Sequence, residues 1–324
     1  MKSKVSLKTK RAIKKIISWS GLFFFLIAAI MLYTQLSKYP LEDIKRALLS
    51  IPTKNIIYAC IASFLGYISL ACYDFLALKY IKHKLEPWKW ILTGFIGFSV
   101  SNNAGHAIVS GGAVRYRMYT RWRFKASEIV KMVTFSGFTY LFGCFGLIVV
   151  GFLMIPSHAY GDSAASLYTT QLVALGSGIG LLAYLLLTIF YKKPIHISNL
   201  SFKVPSFKMA CAQVLLGAID SLLASLVLYF CLTPFVQIPF NVFIGVFIVA
   251  QVLGVFSQVP GGLGVFEGLF LLILPGENNM AYLFGALIAY RIIYYLLPLM
   301  LSSLVFAVYE WHLHRKRKLS RGLV

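Results

Sequence analysis

The chain has 324 residues, 59% of them hydrophobic and 13% charged, with a formal net charge of +21. Soluble domains carry about 25% charged residues, so an ordinary soluble protein is excluded. Apolar runs of helix length without two-residue alternation exclude a porin-type barrel. The charge does not call for nucleic acid, because Lys and Arg sit at the ends of apolar runs, where membrane topology places them. The sequence predicts an all-α polytopic membrane protein. A single membrane domain (16–308) lies between a basic N-terminal tail (1–15) and a basic C-terminal tail (309–324).

Residues 1–15 hold Lys and Arg but no acid, which puts the N-terminus in the cytoplasm. Ile16–Leu36 is the first span, retained because no Ala-x-Ala cleavage signal follows it. Residues 37–53 have the apolar spacing of a helix lying in the interface. Asn55–Leu78 is the second span and carries Asp74, which is close enough to its inner end to reach Lys79 or a headgroup instead of serving a site. Trp90–Val109 is apolar but contains Asn102, Asn103 and His106. Basic residues flank it on both sides, so it enters and leaves on one face as a re-entrant hairpin. Ser110-Gly111-Gly112 is expected to mark its break or exit turn.

Val133–Pro156 then runs outward, and Leu167–Tyr191 returns, with Gly176 and Gly180 at the spacing of helix-packing glycines. Ala210–Leu232 goes out again with Asp220 near its middle. The next apolar run, Phe240–Leu274, is too long for one span of about 20 residues and too short for two. Its middle holds Pro260-Gly261-Gly262, the least helical tripeptide available. Broken backbone at membrane depth survives only where protein or a cavity covers it, so this is read as a second re-entrant hairpin, with a plain kinked helix hairpin and a snorkelling Glu as the alternative. Ser257 and Gln258 lie beside the break and Glu267 follows it. Tyr282–Val308 carries Arg291 and ends the domain.

The sum is about six full spans plus two re-entrant hairpins, eight hydrophobic elements in all. This layout puts every Lys and Arg except Lys38, Lys45, Arg46, Lys54 and Arg291 on the inner side, with both termini cytoplasmic. It also pairs two half-repeats, 55–156 and 210–308. Each has an Asp-bearing span, a polar re-entrant stretch with Gly-Gly and a full span, entering from opposite faces. That is the inverted-topology repeat common in transporters.

The candidate site is the intramembrane set Asp74, Asp220, Glu267 and Arg291, with Arg115 and Arg117 at the inner mouth. Asn102, Asn103, Gln258, Pro260, Gly261 and Gly262 lie at the breaks. Arg forks suit phosphate and carboxylates suit ammonium groups. Against this stand plain alternatives: Arg115 and Arg117 as topology markers, and Arg291 in a structural pair with an Asp. The five cysteines fall in apolar runs with no metal spacing and read as buried thiols. No hydrolase, nucleotide-binding or metal motif appears, so neither a catalytic residue nor a cofactor is predicted.

Ser101-Asn102-Asn103-Ala104-Gly105, Ser110-Gly111-Gly112-Ala113-Val114-Arg115, Val259-Pro260-Gly261-Gly262-Leu263-Gly264-Val265-Phe266-Glu267 and Tyr290-Arg291-Ile292-Ile293-Tyr294-Tyr295 resemble known sequences. They are similar to the N-terminal membrane domain of lysylphosphatidylglycerol flippase/synthetases of the MprF type and to YbhN-like inner-membrane proteins. The resemblance implies translocation of aminoacylated phosphatidylglycerol from the inner to the outer leaflet of the bacterial cytoplasmic membrane, which confers resistance to cationic peptides. Its partners would be anionic or aminoacylated phospholipid, with a homo-oligomer or a separate synthetase as protein partners. The soluble lysyltransferase domain of full-length members has no counterpart in these residues. A membrane-embedded lipid-modifying enzyme and a non-catalytic membrane partner of a synthetase remain as alternatives.

Overall fold

A computed structural model describes residues 41–104, 107–154, 164–197, 200–257, 259–273 and 280–321. The expected first span Ile16–Leu36 and Gln258 lie outside the described residues. The helices are α1 (Leu41–Leu49), α2 (Thr53–Ile81), α3 (Pro87–Asn103), α4 (Ala107–Tyr119), α5 (Ala126–Met154), α6 (Ala164–Phe190), α7 (Phe207–Leu232), α8 (Phe240–Phe256), α9 (Val265–Ile273), α10 (Met280–Tyr290) and α11 (Leu297–Arg321). A π-helical turn, Arg291–Leu296, joins the last two. A hairpin of two three-residue strands, β1 (Ile195–Ile197) and β2 (Leu200–Phe202), joins α6 to α7. Among the described residues five helical stretches are long and apolar enough to cross a bilayer, and large apolar side chains such as Phe64, Leu153, Phe190 and Met300 face outward from them.

The two Asp-bearing helices, α2 and α7, form the centre and pack along each other more extensively than any other pair. They run antiparallel: Asn55 Nδ2 donates to Phe230 O (2.8 Å), Ser69 Oγ to Leu216 O (3.5 Å) and Tyr73 Oη to Asp220 Oδ2 (3.0 Å). α2 ends at Lys82, whose left-handed conformation (φ 59) lets its N–H cap the Leu78 and Lys79 carbonyls. α3 begins with Pro87 at its first turn, where a missing N–H costs nothing.

Both hairpins enter and leave on one end of the bundle, and the ends are opposite. In the first, Trp88 at the start of α3 meets Trp122 just after α4 (6.1 Å between centroids), and His83 after α2 stacks on Phe124 (4.0 Å). In the second, Phe243 early in α8 meets Phe270 late in α9 (5.8 Å), and Phe240 meets Tyr229 at the end of α7 (4.9 Å). Since α2 and α7 are antiparallel, these are opposite ends.

Several expectations need correction. The first hairpin breaks between Asn103 and Ala107, not at Ser110-Gly111-Gly112, which lies inside α4. A Cβ on Gly111 would sit 1.9 Å from Ser101 Oγ and 3.1 Å from Arg115 Nη1. This glycine is there for close packing, not for a turn. A Cβ on Gly176 would meet nothing within 4 Å among the described residues, whereas one on Gly180 would meet Phe145. The tight approach is elsewhere, between α5 and α7: a Cβ on Gly217 would lie 2.2 Å from Thr139 O, and one on Gly143 2.2 Å from the Gly217 backbone. Of the cysteines only Cys144 and Cys231 are buried; Cys60 and Cys211 are exposed. The last helix runs on to Arg321, past the expected boundary at Val308. α1 packs on the bundle through Ala47, which is buried against Gly285 of α10.

Because the atom opposing Gly217 belongs to the backbone, no side-chain rotation can make room. Gly217→Val is expected to destabilise the protein by about 1–3 kcal/mol or more, read as a lower midpoint of thermal unfolding in detergent. Gly176→Val, in open space, is the matched control and should change little.

Candidate functional site

The second break is built by its own sequence. α8 ends at Phe256, Gly261, Gly262 and Gly264 take positive φ (60°, 64° and 82°), and α9 starts at Val265. Glu267, in the first turn of α9, reaches back to accept from the Gly264 N–H at 2.8 Å, as a capping-box acid does. Its other oxygen accepts from Arg291 Nε at 2.7 Å. Arg291 Nη1 donates to the Gly261 carbonyl, and the guanidinium stacks on Tyr295 (4.5 Å). Arg291 thus ties both sides of the Pro260-Gly261-Gly262 interruption. Arg291 and Glu267 are almost fully buried, and the partner of Arg291 is this Glu and not an Asp.

The first break has a parallel device. Arg115 in α4 donates through Nε to both Asp74 oxygens (2.9 and 3.2 Å), and its Nη2 lies 2.9 Å from Oδ1 without the alignment of a hydrogen bond. Tyr119 Oη donates to Asp74 Oδ2 at 2.8 Å. The guanidinium stacks on Phe98 (4.2 Å), in space left by Gly97 and Gly111. Asp74 is completely buried, so it serves this pair and reaches neither Lys79 nor a headgroup at the helix end.

The two breaks meet. A Cβ on Gly261 would come within 3.7 Å of Asn102 O and 4.0 Å of Asn103 O, the last carbonyls of α3, and 3.4 Å of Arg291 Nη1. Asn103 Nδ2 donates to Ser99 O (2.8 Å) and to Tyr295 O (3.2 Å). Asn102, Asn103, Gly261, Glu267 and Arg291 thus lie together where the two breaks touch. Gly262 belongs to the same turn but packs on Gly254. Pro260 opens the turn through its backbone. Asp220, 4% exposed, stands apart on α7, with Tyr73 as its hydrogen-bond donor. Arg117 does not join: it is half exposed and shares Glu310 of α11 with Arg121.

The π turn was not anticipated, although its cause is in the sequence. Pro298 has no N–H, so the Tyr294 carbonyl one turn earlier loses its usual α-helical donor, and π turns recur at functional sites. Donors come from other helices: Tyr67 Oη to Tyr294 O (3.0 Å), Ser63 Oγ to Ile293 O (3.1 Å) and Asn103 to Tyr295 O. Beside this turn an apolar cleft of about 530 Å³ opens between α2, α3 and α11, with Phe64, Ile91 and Leu301 at its walls and Tyr67 and Ile293 among its lining.

The family model described as the lysylphosphatidylglycerol synthase TM region matches residues 19–302. The chain belongs to this family. It is 32% identical over 302 residues to the uncharacterized protein slr0712 of Synechocystis, covering 92% of each chain. It is 28% identical to the inner membrane protein YbhN of Escherichia coli, covering 93% of each. It is also 28% identical over 305 residues to a phosphatidylglycerol lysyltransferase of Staphylococcus xylosus, covering 92% of this chain and 34% of that protein. The matched family region contains both breaks, both buried ion pairs and Asp220, whereas the Glu310 contact lies beyond it. The chain is a multi-pass membrane protein of this lipid-related family.

Proposed function

We propose that this chain translocates phospholipid, phosphatidylglycerol or its aminoacylated form, from the inner to the outer leaflet of a bacterial cytoplasmic membrane, with both termini cytoplasmic. The observation that carries this reading is the contact of two broken hairpins, entering from opposite ends, at Gly261 and Asn102–Asn103. Exposed backbone dipoles and buried charge at one point inside a bundle are the usual substrate setting of repeat-built transporters. The head group crosses at the breaks while the acyl chains stay on the lipid side, along the apolar cleft beside Tyr67. A head group that carries both phosphate and ammonium can replace each member of the Glu267–Arg291 pair in turn, so neither charge is ever left bare. Moving the aminoacylated form outward lowers the negative charge of the outer surface and with it the attraction of cationic peptides.

The test is leaflet-resolved labelling of fluorescent phosphatidylglycerol, in plain and aminoacylated form, in proteoliposomes. Wild type should move lipid well above protein-free vesicles, and Gly261→Val, which fills the contact between the breaks, should slow it about tenfold or more, a barrier change of about 1.4 kcal/mol. Rates equal to those of empty vesicles would end the reading. A second reading rests on coverage: the chain matches about a third of the lysyltransferase relative, which suits a membrane partner of a separate synthetase. Co-purification with such an enzyme and no lipid movement would favour it.

A further inference from the structure

Among the described residues three acids lie buried among the membrane helices, and they are not alike. Asp74 and Glu267 each face a buried guanidinium. Asp220 has no Lys, Arg or His within ion-pair distance among the described residues. Its Oδ2 accepts from Tyr73, and no protein donor reaches Oδ1. The groups facing it are neutral: Tyr67 and Tyr73 from α2, Tyr140 and Cys144 from α5 and Tyr294 from the π turn, with Ser221, next to it in sequence, in contact with Cys144. Among the other elements packed on α7, α6 brings Tyr184 to Gln213 and α10 carries Tyr282 and Tyr290. α8 has no titratable residue. An ionised carboxylate held by one hydroxyl in an apolar interior costs many times what a neutral carboxylic acid does, and such groups neutralise.

We propose that Asp220 is a proton-binding site of the transport cycle. It is protonated in the conformation described here and gives its proton to water when the passage opens. The part concerning the cycle rests on the transport reading above; the protonation itself does not. The proton needs no co-reactant: the O–H bond of the Asp220 carboxyl breaks, the proton leaves as hydronium, and the carboxylate left behind is hydrated or takes a cationic head group. This would couple lipid movement to a pH difference across the membrane.

The direct test is infrared spectroscopy of the full chain in lipid nanodiscs at neutral pH. The carbonyl stretch of a protonated carboxylic acid should be present in wild type, absent in Asp220→Asn and retained in Glu310→Gln. A wild-type spectrum without that band, or one unchanged in Asp220→Asn, overturns the proposal. Thermal unfolding gives a second readout: Asn mimics the neutral acid, so Asp220→Asn should melt like wild type, and a large loss would mean that a charge was needed. In proteoliposomes with an imposed pH difference, wild-type lipid movement should change by up to about tenfold per pH unit on the steep limb of the titration, and Asp220→Asn should be flat. A wild type insensitive to pH overturns the coupling. Wild type that moves no lipid at any pH sinks the transport reading instead, and the infrared band still decides the protonation.

Discussion

Arg291→Ala is expected to destabilise the protein by about 3–5 kcal/mol, because it leaves Glu267 buried with half its partners gone. The loss is larger than for an ordinary ion pair, since the same guanidinium holds the Gly261 carbonyl and stacks on Tyr295. Glu267→Gln should cost less, because an amide still offers an oxygen to the Gly264 N–H or to Arg291. The double variant Glu267→Gln/Arg291→Ala removes both charges together and should be more stable than Arg291→Ala alone. Chemical denaturation in detergent, arranged as a double-mutant cycle, measures the coupling. Leaflet-resolved labelling of the same variants measures what the pair does for lipid. If Glu267→Gln and Arg291→Ala, both still folded, move lipid as fast as wild type, these residues lie outside the passage.

The second large effect is expected at the first break. Asp74→Ala strands Arg115 at 2% exposure beside Phe98 and should cost a similar 3–5 kcal/mol. Arg115→Ala strands Asp74 instead, with only Tyr119 left to donate to it. Arg117→Ala is the internal comparison: its ion pair is half exposed and shared with Arg121, and such pairs contribute at most about 1 kcal/mol. A contrast between Arg115 and Arg117 in unfolding midpoint checks this assignment. Equal losses at both would mean that the buried pair has no special weight.

That contrast also marks where the sequence stops being readable. Arg115 and Arg117 look alike in a basic run, yet residues two apart on an α-helix point about 200° from each other. Only one can face the core, and the sequence does not say which until the Asp74 side is known. Helix-length apolar runs predicted the spans, because burying that much apolar surface leaves few alternatives. Pro260-Gly261-Gly262 predicted its break, because three such residues in a row defeat the helix by backbone chemistry alone. Gly111-Gly112 misled for the converse reason: glycine serves both turns and close packing, and here Ser101 and Arg115 needed the space. The real first break, after Asn103, has only Gly105 as a local signal. The pairing of Glu267 with Arg291 was beyond reach, since it depends on how α9 and the π turn dock. The π turn itself was not: Pro298 stood in an otherwise helical run.

The π turn bears on the order in which the protein is made. Its carbonyls take hydrogen bonds from Ser63, Tyr67 and Asn103, residues translated 230, 227 and 192 positions earlier. Synthesis runs from the N-terminus at about 5–20 residues per second, so those donors precede residues 291–298 by about ten seconds or more. Pro298 leaves the last helix one backbone donor short, and in lipid an unmet group costs several kcal/mol. That helix has to arrive in a bundle whose first helices are already in place.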